Sequence, residues 1–312
     1  MEQLKKDAER IRSLEIQGAT NVCLSACDFL NSFAQRIQAT NKKEILEQLY
    51  KAKDVLINTR PTEPAMKNGL KYILKKLELE ADSISLSDIP LKVQQYKEEY
   101  HKRLLNSKEK IAKIGANRIP YKDPEGFTVM THCHSTIVSA ILIEAKKQGK
   151  EFKVINTETQ PKLQGRKTTK ELLEVNIEVI HIVDSAMRWA VNHFEVDLIL
   201  IGADSITSEG TVLNKIGSRL LALVAHEEHV PFYVASPLLK YNPETSFGLL
   251  EKIEMRPPNE IWENPPEGVQ VINPAFETVS RRYIDGIITE AGIFAPSYIH
   301  IYFERLYPEL VG

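Results

Sequence analysis

A cysteine between two histidines, in Thr131-His132-Cys133-His134-Ser135-Thr136, follows the apolar run Phe127-Thr128-Val129-Met130. A helical pattern of Ile137, Val138, Ile141, Leu142 and Ala145 comes next. This order places a thiol where a strand turns into a helix. In open α/β sheets, ligands bind at the carboxyl ends of the strands. A helix N-terminus favours an anion, so polar Ser135 and Thr136 in the first turn suit a phosphate. The same dipole favours the thiolate, so Cys133 is expected to be acidic enough to act as a base. A lone cysteine is more often a small buried filler. A second strand end shifts that balance.

That end is Leu198-Ile199-Leu200-Ile201-Gly202-Ala203-Asp204-Ser205. Four consecutive apolar residues read as a strand buried on both faces, the pattern of a parallel sheet. Gly202 is expected to make a tight turn, and Asp204 then emerges past the strand. Asn214-Lys215 reads as the opening of an amphipathic helix through Ile216, Leu220, Leu221 and Val224, with Asn214 as a natural N-cap. A third strand, Phe232-Tyr233-Val234-Ala235, leads to Ser236-Pro237 and Lys240. A thiol, a carboxylate, an amide–lysine pair and another lysine all past strand ends fit an anionic substrate better than a packing pattern.

Other groupings carry less. Cys23 and Cys27 share a helix face, but two thiols make no zinc site, and core filler is the better reading. His226-Glu227-Glu228-His229 has the wrong spacing for the His-Glu-x-x-His zinc motif. His132 and His134 flank Cys133, yet successive side chains of extended chain point to opposite faces, away from the thiol. There is no Walker motif and no dinucleotide fingerprint. No metal and no cofactor is therefore expected.

The elements that position these residues divide near residue 118. Residues 1–117 read as a helical domain, with apolar stripes at Val22, Ala26, Phe29 and Leu30 and at Leu46, Leu49, Ala52, Val55 and Leu56. Lys92 to Lys113 reads as a charged helix packed on one side. Turn residues in Gly115-Ala116-Asn117-Arg118-Ile119-Pro120 and Asp123-Pro124-Glu125-Gly126 break the pattern. From there to residue 312, short strands alternate with helices: 127–131, 152–157, 178–183, 197–202, 231–235 and a late strand near 286–288. That alternation predicts an α/β fold, a Rossmann-like domain with a mostly parallel sheet and helices on both faces. Arg256 to Pro266, rich in proline, reads as a surface excursion.

Composition narrows the function classes. The 312 residues suggest two domains. With 40 basic and 42 acidic side chains the net charge is −2, which gives no electrostatic case for nucleic acid. No apolar run reaches the roughly 18 residues of a membrane span, and Met1 to Asp7 is charged and helical rather than a secretory signal. Three cysteines, an odd number, argue against a disulfide framework and for the cytoplasm.

Further segments occur in a familiar order: Glu15 to Ala19, Thr59-Arg60-Pro61-Thr62, Thr157-Glu158-Thr159, Gln164-Gly165, Asp184-Ser185-Ala186, Gly202 to Ile206, Asn214 to Gly217 and Asn273-Pro274-Ala275-Phe276. With Thr131 to Ser135 they resemble the superfamily joining the α, β and δ subunits of translation initiation factor 2B to two sugar-phosphate isomerases. Those isomerases act on methylthioribose 1-phosphate and on ribose 1,5-bisphosphate. The Thr-His-Cys-His-Ser form most resembles the ribose-1,5-bisphosphate isomerases, whereas the initiation-factor subunits generally lack both the cysteine and the aspartate.

The resemblance implies an aldose–ketose isomerase with Cys133 and Asp204 as catalytic residues. It implies substrate binding by Gln17, Gly18, Ala19, Thr20, Arg60, Ser135, Thr136, Ile137, Gln160, Asn214, Lys215 and Lys240. A phosphorylated sugar substrate, activation by AMP and a homo-oligomer built on dimers also follow from it. An aldose 1-phosphate has no free aldehyde, so its ring must open with the phosphate attached. That requires an acid at the ring oxygen and a base for the hydrogen on C2. Asp204 fits the acid if an apolar pocket raises its pKa, and Cys133 the base. Gln17 and Gln160 stand where these isomerases usually carry arginine, which leaves the exact sugar phosphate open. Methylthioribose 1-phosphate is the alternative substrate, and a non-enzymatic regulatory subunit the alternative class.

Overall fold

The computed structural model describes residues 1–16, 18–121, 126–248 and 253–311. Asp123-Pro124-Glu125 of the expected break lie outside the described residues. The chain forms two compact units: Met1–Asn106 with Leu239–Tyr241 and Ile301–Gly312, and Ser107–Leu238 with Asn242–His300.

The first unit is helical: α1 (Glu2–Arg12), α2 (Ala19–Ala34), α3 (Lys42–Ile57), α4 (Pro64–Leu79) and the first part of α5 (Ile89–Ala116). Its core takes Val22, Ala26 and Leu30 from one expected stripe and Leu49, Ala52 and Leu56 from the other. Cys23 and Cys27 are fully buried, and the Cys23 thiol donates to the Ala65 carbonyl at 3.2 Å. A methyl group on Gly69 would lie 2.7 Å from Tyr100 and 2.9 Å from the Cys27 sulfur, so these cysteines are packing residues. Asn68, also buried, donates to the carbonyls of Leu239 and Tyr241 at 2.8 and 2.9 Å. Those bonds explain why a three-residue segment from far along the chain belongs to the helical unit.

The units divide at 106/107, earlier than the change in pattern at 117/118. The reason is burial: Ile111 and Ala116, on the last turns of α5, belong to the α/β core with Val129, Ile141 and Leu200. Gly115 is helical rather than a break, and a methyl there would come 2.5 Å from Ile141. Its lack of a side chain lets α5 pack closely within this unit.

The second unit contains β1 (Thr128–Thr131), α6 (Thr136–Lys147), β2 (Lys153–Thr157), α7 (Gly165–Leu173), β3 (Glu178–Ile182), α8 (Met187–His193) and β4 (Leu198–Ile201). After β5 (Ser205–Ile206) and β6 (Val212–Lys215) come α9 (Ser218–Glu227), β7 (Phe232–Ala235), β8 (Phe276–Val279), β9 (Gly286–Thr289) and β10 (Gly292–Phe294). A last helix, α10 (Ile299–Leu306), runs on into the first unit. Seven strands form one sheet in the order β10-β9-β7-β4-β1-β2-β3, parallel except for the edge strand β10. This is the expected Rossmann-like α/β fold. With right-handed crossovers, α6 and α7 cover one face, and α8 and α9 the other. Among the described residues no helix is long and apolar enough to cross a membrane.

Strand order decides where a ligand fits. From β1 the chain steps outward to β2 and β3, then returns to β1's other side with β4 and continues to β7 and β9. The order therefore reverses between β1 and β4, and the crevice beyond their carboxyl ends is the preferred binding site of such a sheet.

A small antiparallel sheet, β5-β6-β8, was not expected. It corrects one assignment: Asn214 and Lys215 end strand β6 and do not open a helix. Helix α9 starts at Ser218, capped by Gly217 at φ 102°. Residues 257–270 are largely exposed, as expected for the proline-rich excursion.

Candidate active site

Cys133 lies two residues beyond β1, at φ 68°, in the left-handed region that disfavours residues with a β-carbon. Two neighbours hold it there. The Thr168 hydroxyl on α7 donates to the Cys133 carbonyl at 2.9 Å, and Ser135 caps α6 by accepting from the Val138 N–H at 3.4 Å. Thr136 is exposed at the first helical position, while Ile137 turns its side chain into the core, so only its backbone faces a ligand.

The expectation of an acidic thiol is corrected. Loss of solvent around the sulfur pushes the Cys133 thiol up from its usual 9.0 to about 11, although the residue as a whole keeps some exposure. The Lys215 ammonium and the His134 backbone N–H act against this shift, and the Asp204 and Asp184 carboxylates add to it. At this site desolvation outweighs the Lys215 charge and the His134 N–H together. The charges of Lys215, Asp204 and Asp184 thus all lie near enough to act on the sulfur.

Asp204 lies three residues beyond β4 and is partly exposed, its backbone N–H bonded to the Leu213 carbonyl at 2.9 Å. Thus the thiol and the carboxylate stand on the two strands flanking the switch point. Gly202 brings them together by a different route from the expected turn. Its φ is not positive, but a methyl on it would lie 2.6 Å from the Ser135 hydroxyl, so glycine permits the close approach of the α6 cap.

Lys215 lies 4.8 Å over the Phe276 ring and remains partly exposed. Asn214 is buried, and its amide donates to the Ser218 hydroxyl at 2.8 Å, which in turn donates to the Lys215 carbonyl at 2.6 Å. Asn214 therefore shapes the turn that presents Lys215. The α9 N-terminus is occupied by a residue that sequence reasoning missed: Glu277 accepts from the Gly217 and Arg219 N–H groups at 2.6 and 3.0 Å. It sits about 60 positions away and carries no local signal.

The Gln160 loop after β2 is held by Asp184, which the sequence offered as part of a shared segment but with no role, and whose carboxylate accepts from the Thr159 and Gln160 N–H groups at 2.9 and 2.7 Å. The exposed Gln160 amide donates to Glu158 at 2.8 Å, and Glu158 also pairs with Arg166 at 3.4 Å. Gly165 lets α7 meet this loop, since a methyl there would lie 1.7 Å from the Thr157 carbonyl oxygen.

The remaining candidates belong to the helical unit. Gly18 caps α2 at φ 84°, with Ala19 buried and Thr20 partly exposed in the first turn, whose N–H groups have no intrahelical acceptor. Gln17 lies outside the described residues. Arg60, its side chain 11% exposed, pairs with buried Glu63 at 3.2 Å, and Lys240 is partly exposed. No group of three or more His, Cys, Asp or Glu side chains among the described residues is arranged to hold a metal ion. Glu227 and Glu228, of the His226–His229 segment, pair with Arg188.

Comparison with known proteins places these features in a family. The model of the initiation factor 2 subunit family matches residues 15–296, and the chain belongs to that family. Several archaeal relatives are named ribose 1,5-bisphosphate isomerase. That of Methanocaldococcus jannaschii is 37% identical over 298 residues, covering 95% of this chain and 92% of the relative. A methylthioribose-1-phosphate isomerase from Pelotomaculum thermopropionicum is 34% identical, covering 93% of this chain and 82% of its own. Among solved structures, the translation initiation factor eIF-2B of Pyrococcus horikoshii OT3 superposes with a TM-score of 0.80 at 26% identity, covering 95% of this chain and 98% of that one.

Proposed function

We propose that the chain is an isomerase converting ribose 1,5-bisphosphate to ribulose 1,5-bisphosphate, with Cys133 and Asp204 handling the protons. The observation that carries this reading is their position on the two strands flanking the sheet's switch point. The names of the archaeal relatives support the substrate. An initiation-factor-like scaffold has no need for a thiol and a carboxylate converging in that crevice.

In this reaction Asp204 protonates the ring oxygen as its bond to C1 breaks. Cys133, as thiolate, takes the proton from C2, and that electron pair forms the C1–C2 double bond. Return of the proton from Cys133 to C1 and transfer of the C2 hydroxyl proton to the Asp204 carboxylate give the ketone, with the phosphate still on C1. Because the resting thiol is neutral, its own proton must leave first, ending on the Asp204 carboxylate that then serves as the acid, and the scarce thiolate is a strong base when it forms. Lys215, the first turn of α6 (Ser135, Thr136 and the Ile137 backbone) and the Gln160 loop bind phosphate and hydroxyl groups of the sugar, with Asn214 shaping the Lys215 turn. The resemblance adds Gln17, Gly18, Ala19, Thr20, Arg60 and Lys240 to the proposed sugar-phosphate-binding residues. AMP acts as an activator, the working form is a homo-oligomer built on dimers, and the site of action is the cytoplasm.

Glutamine at positions 17 and 160 favours a second reading, methylthioribose-1-phosphate isomerase, since one fewer phosphate needs fewer cations. Ketose formation from each sugar phosphate by the purified protein, with and without AMP, tests both. Turnover of the bisphosphate supports the first reading; turnover of methylthioribose 1-phosphate alone replaces it, and turnover of neither removes the enzymatic reading.

A further inference from the structure

His132, beside the candidate thiol, is 2% exposed and has both ring nitrogens engaged. Nε2 lies 2.7 Å from the Ile216 carbonyl oxygen, which can only accept, so Nε2 carries the proton. Burial pushes the ring's pKa down, against the Ile216 carbonyl and the Asp184 carboxylate, which raise it; Lys215 lowers it further. The neutral ring leaves Nδ1 as an acceptor, 2.6 Å from the Thr157 hydroxyl, which therefore donates to it. With its proton spent there, the Thr157 oxygen accepts from Thr159 at 3.4 Å. The direction of every bond in this buried chain is thereby set.

The chain joins three places that matter. His132 precedes Cys133, Thr159 precedes Gln160, and Ile216 follows Lys215. A second, independent feature supports the contact with the Ile216 turn. Gly217 sits at φ 102°, and a methyl there would come 2.8 Å from Nε2 and 2.9 Å from Cε1 of His132. The turn is built from a residue that leaves room for the ring.

We propose that His132 is a positioning residue: its Nε2–H tautomer ties the end of β1 to the turn carrying Lys215 and so sets the approach of the Lys215 ammonium to the Cys133 sulfur. This rests on the reading of Cys133 as the proton-handling thiol, but the test reads thiol acidity without any substrate. Product formation from the sugar phosphates is measured separately, so the two readings fail in different experiments.

The pH midpoint of Cys133 alkylation is followed in the full chain, with Cys133→Ser as the blank. Loss of the tie lets Lys215 withdraw, so His132→Leu and Thr157→Val should move the midpoint up by about half a unit to one unit. His132→Gln, whose amide can donate to Ile216, should return it toward the wild-type value. In a Lys215→Gln background the effect of His132→Leu should vanish, because the two residues act through one interaction. Should His132→Leu not fold, Thr157→Val and His132→Gln carry the same test. A midpoint unmoved by Thr157→Val or His132→Leu, whatever the melting temperature does, makes His132 a core residue only. A shift of equal size in the Lys215→Gln background overturns the proposal as well.

Discussion

Raising the pH of the unliganded protein should ionise Cys133 only near pH 11, because burial pushes its thiol up to about 11. At pH 8 such a thiol is ionised in about one molecule in 1,000, against about one in ten for a thiol titrating near 9. The scarcer thiolate is also the stronger nucleophile, and a Brønsted slope of about 0.4–0.5 recovers a factor of about eight. Alkylation by iodoacetamide at pH 8 should then be only about tenfold slower than for an ordinary thiol, so the midpoint of the pH profile is the sharper measurement. Mass spectrometry of the Cys133 peptide separates it from Cys23 and Cys27, which are fully buried. Lys215→Gln should move the midpoint up and Asp204→Asn should move it down, because the ammonium lowers and the carboxylate raises the thiol. For activity the thiol must lose a proton while Asp204 keeps one. Wherever each rests in the opposite form the two requirements cancel, so kcat/KM should stay level with pH up to about 11. Stability does change with pH. A thiol that keeps its proton to higher pH folded than unfolded stabilises the fold below about pH 9, and that contribution is lost as the pH rises through about 11. A midpoint near 8.5, or one that Lys215→Gln leaves in place, would refute the account of this site.

Cys133→Ser and Asp204→Asn should each lower kcat by about 10²–10⁴-fold with the melting temperature nearly unchanged, and a variant keeping more than about a tenth of kcat has no acid–base role. Gly165→Ala should destabilise the protein by about 3 kcal/mol or more, since the new methyl would overlap the Thr157 carbonyl at 1.7 Å; an unchanged denaturant midpoint would disprove that close approach. Gln17→Arg and Gln160→Arg should tighten binding of a bisphosphate, measured by calorimetry, with a gain that shrinks as salt is added. Weaker binding instead would mean that these glutamines select a less charged ligand.

The alternation of apolar runs with helical patterns after residue 126 follows from period alone, because a strand buried on both faces and an amphipathic helix leave different marks. The placement of Cys133 and Asp204 past strand ends was legible for the same reason. Strand order was not: nothing local says that β4 returns to lie beside β1, and that return is what makes the two residues neighbours. The β5-β6-β8 sheet is built from segments of two to four residues, too short for a period to register, so Asn214 and Lys215 read as a helix start. Glu277 and Asp184 act on backbone N–H groups about 60 and 24 residues away, and a carboxylate's sequence context gives no hint of so distant a partner. The acidity of Cys133 is the sharpest case. Sequence places the thiol at a helix N-terminus and so predicts a thiolate, but desolvation depends on everything packed around the sulfur, and only the tertiary structure holds that.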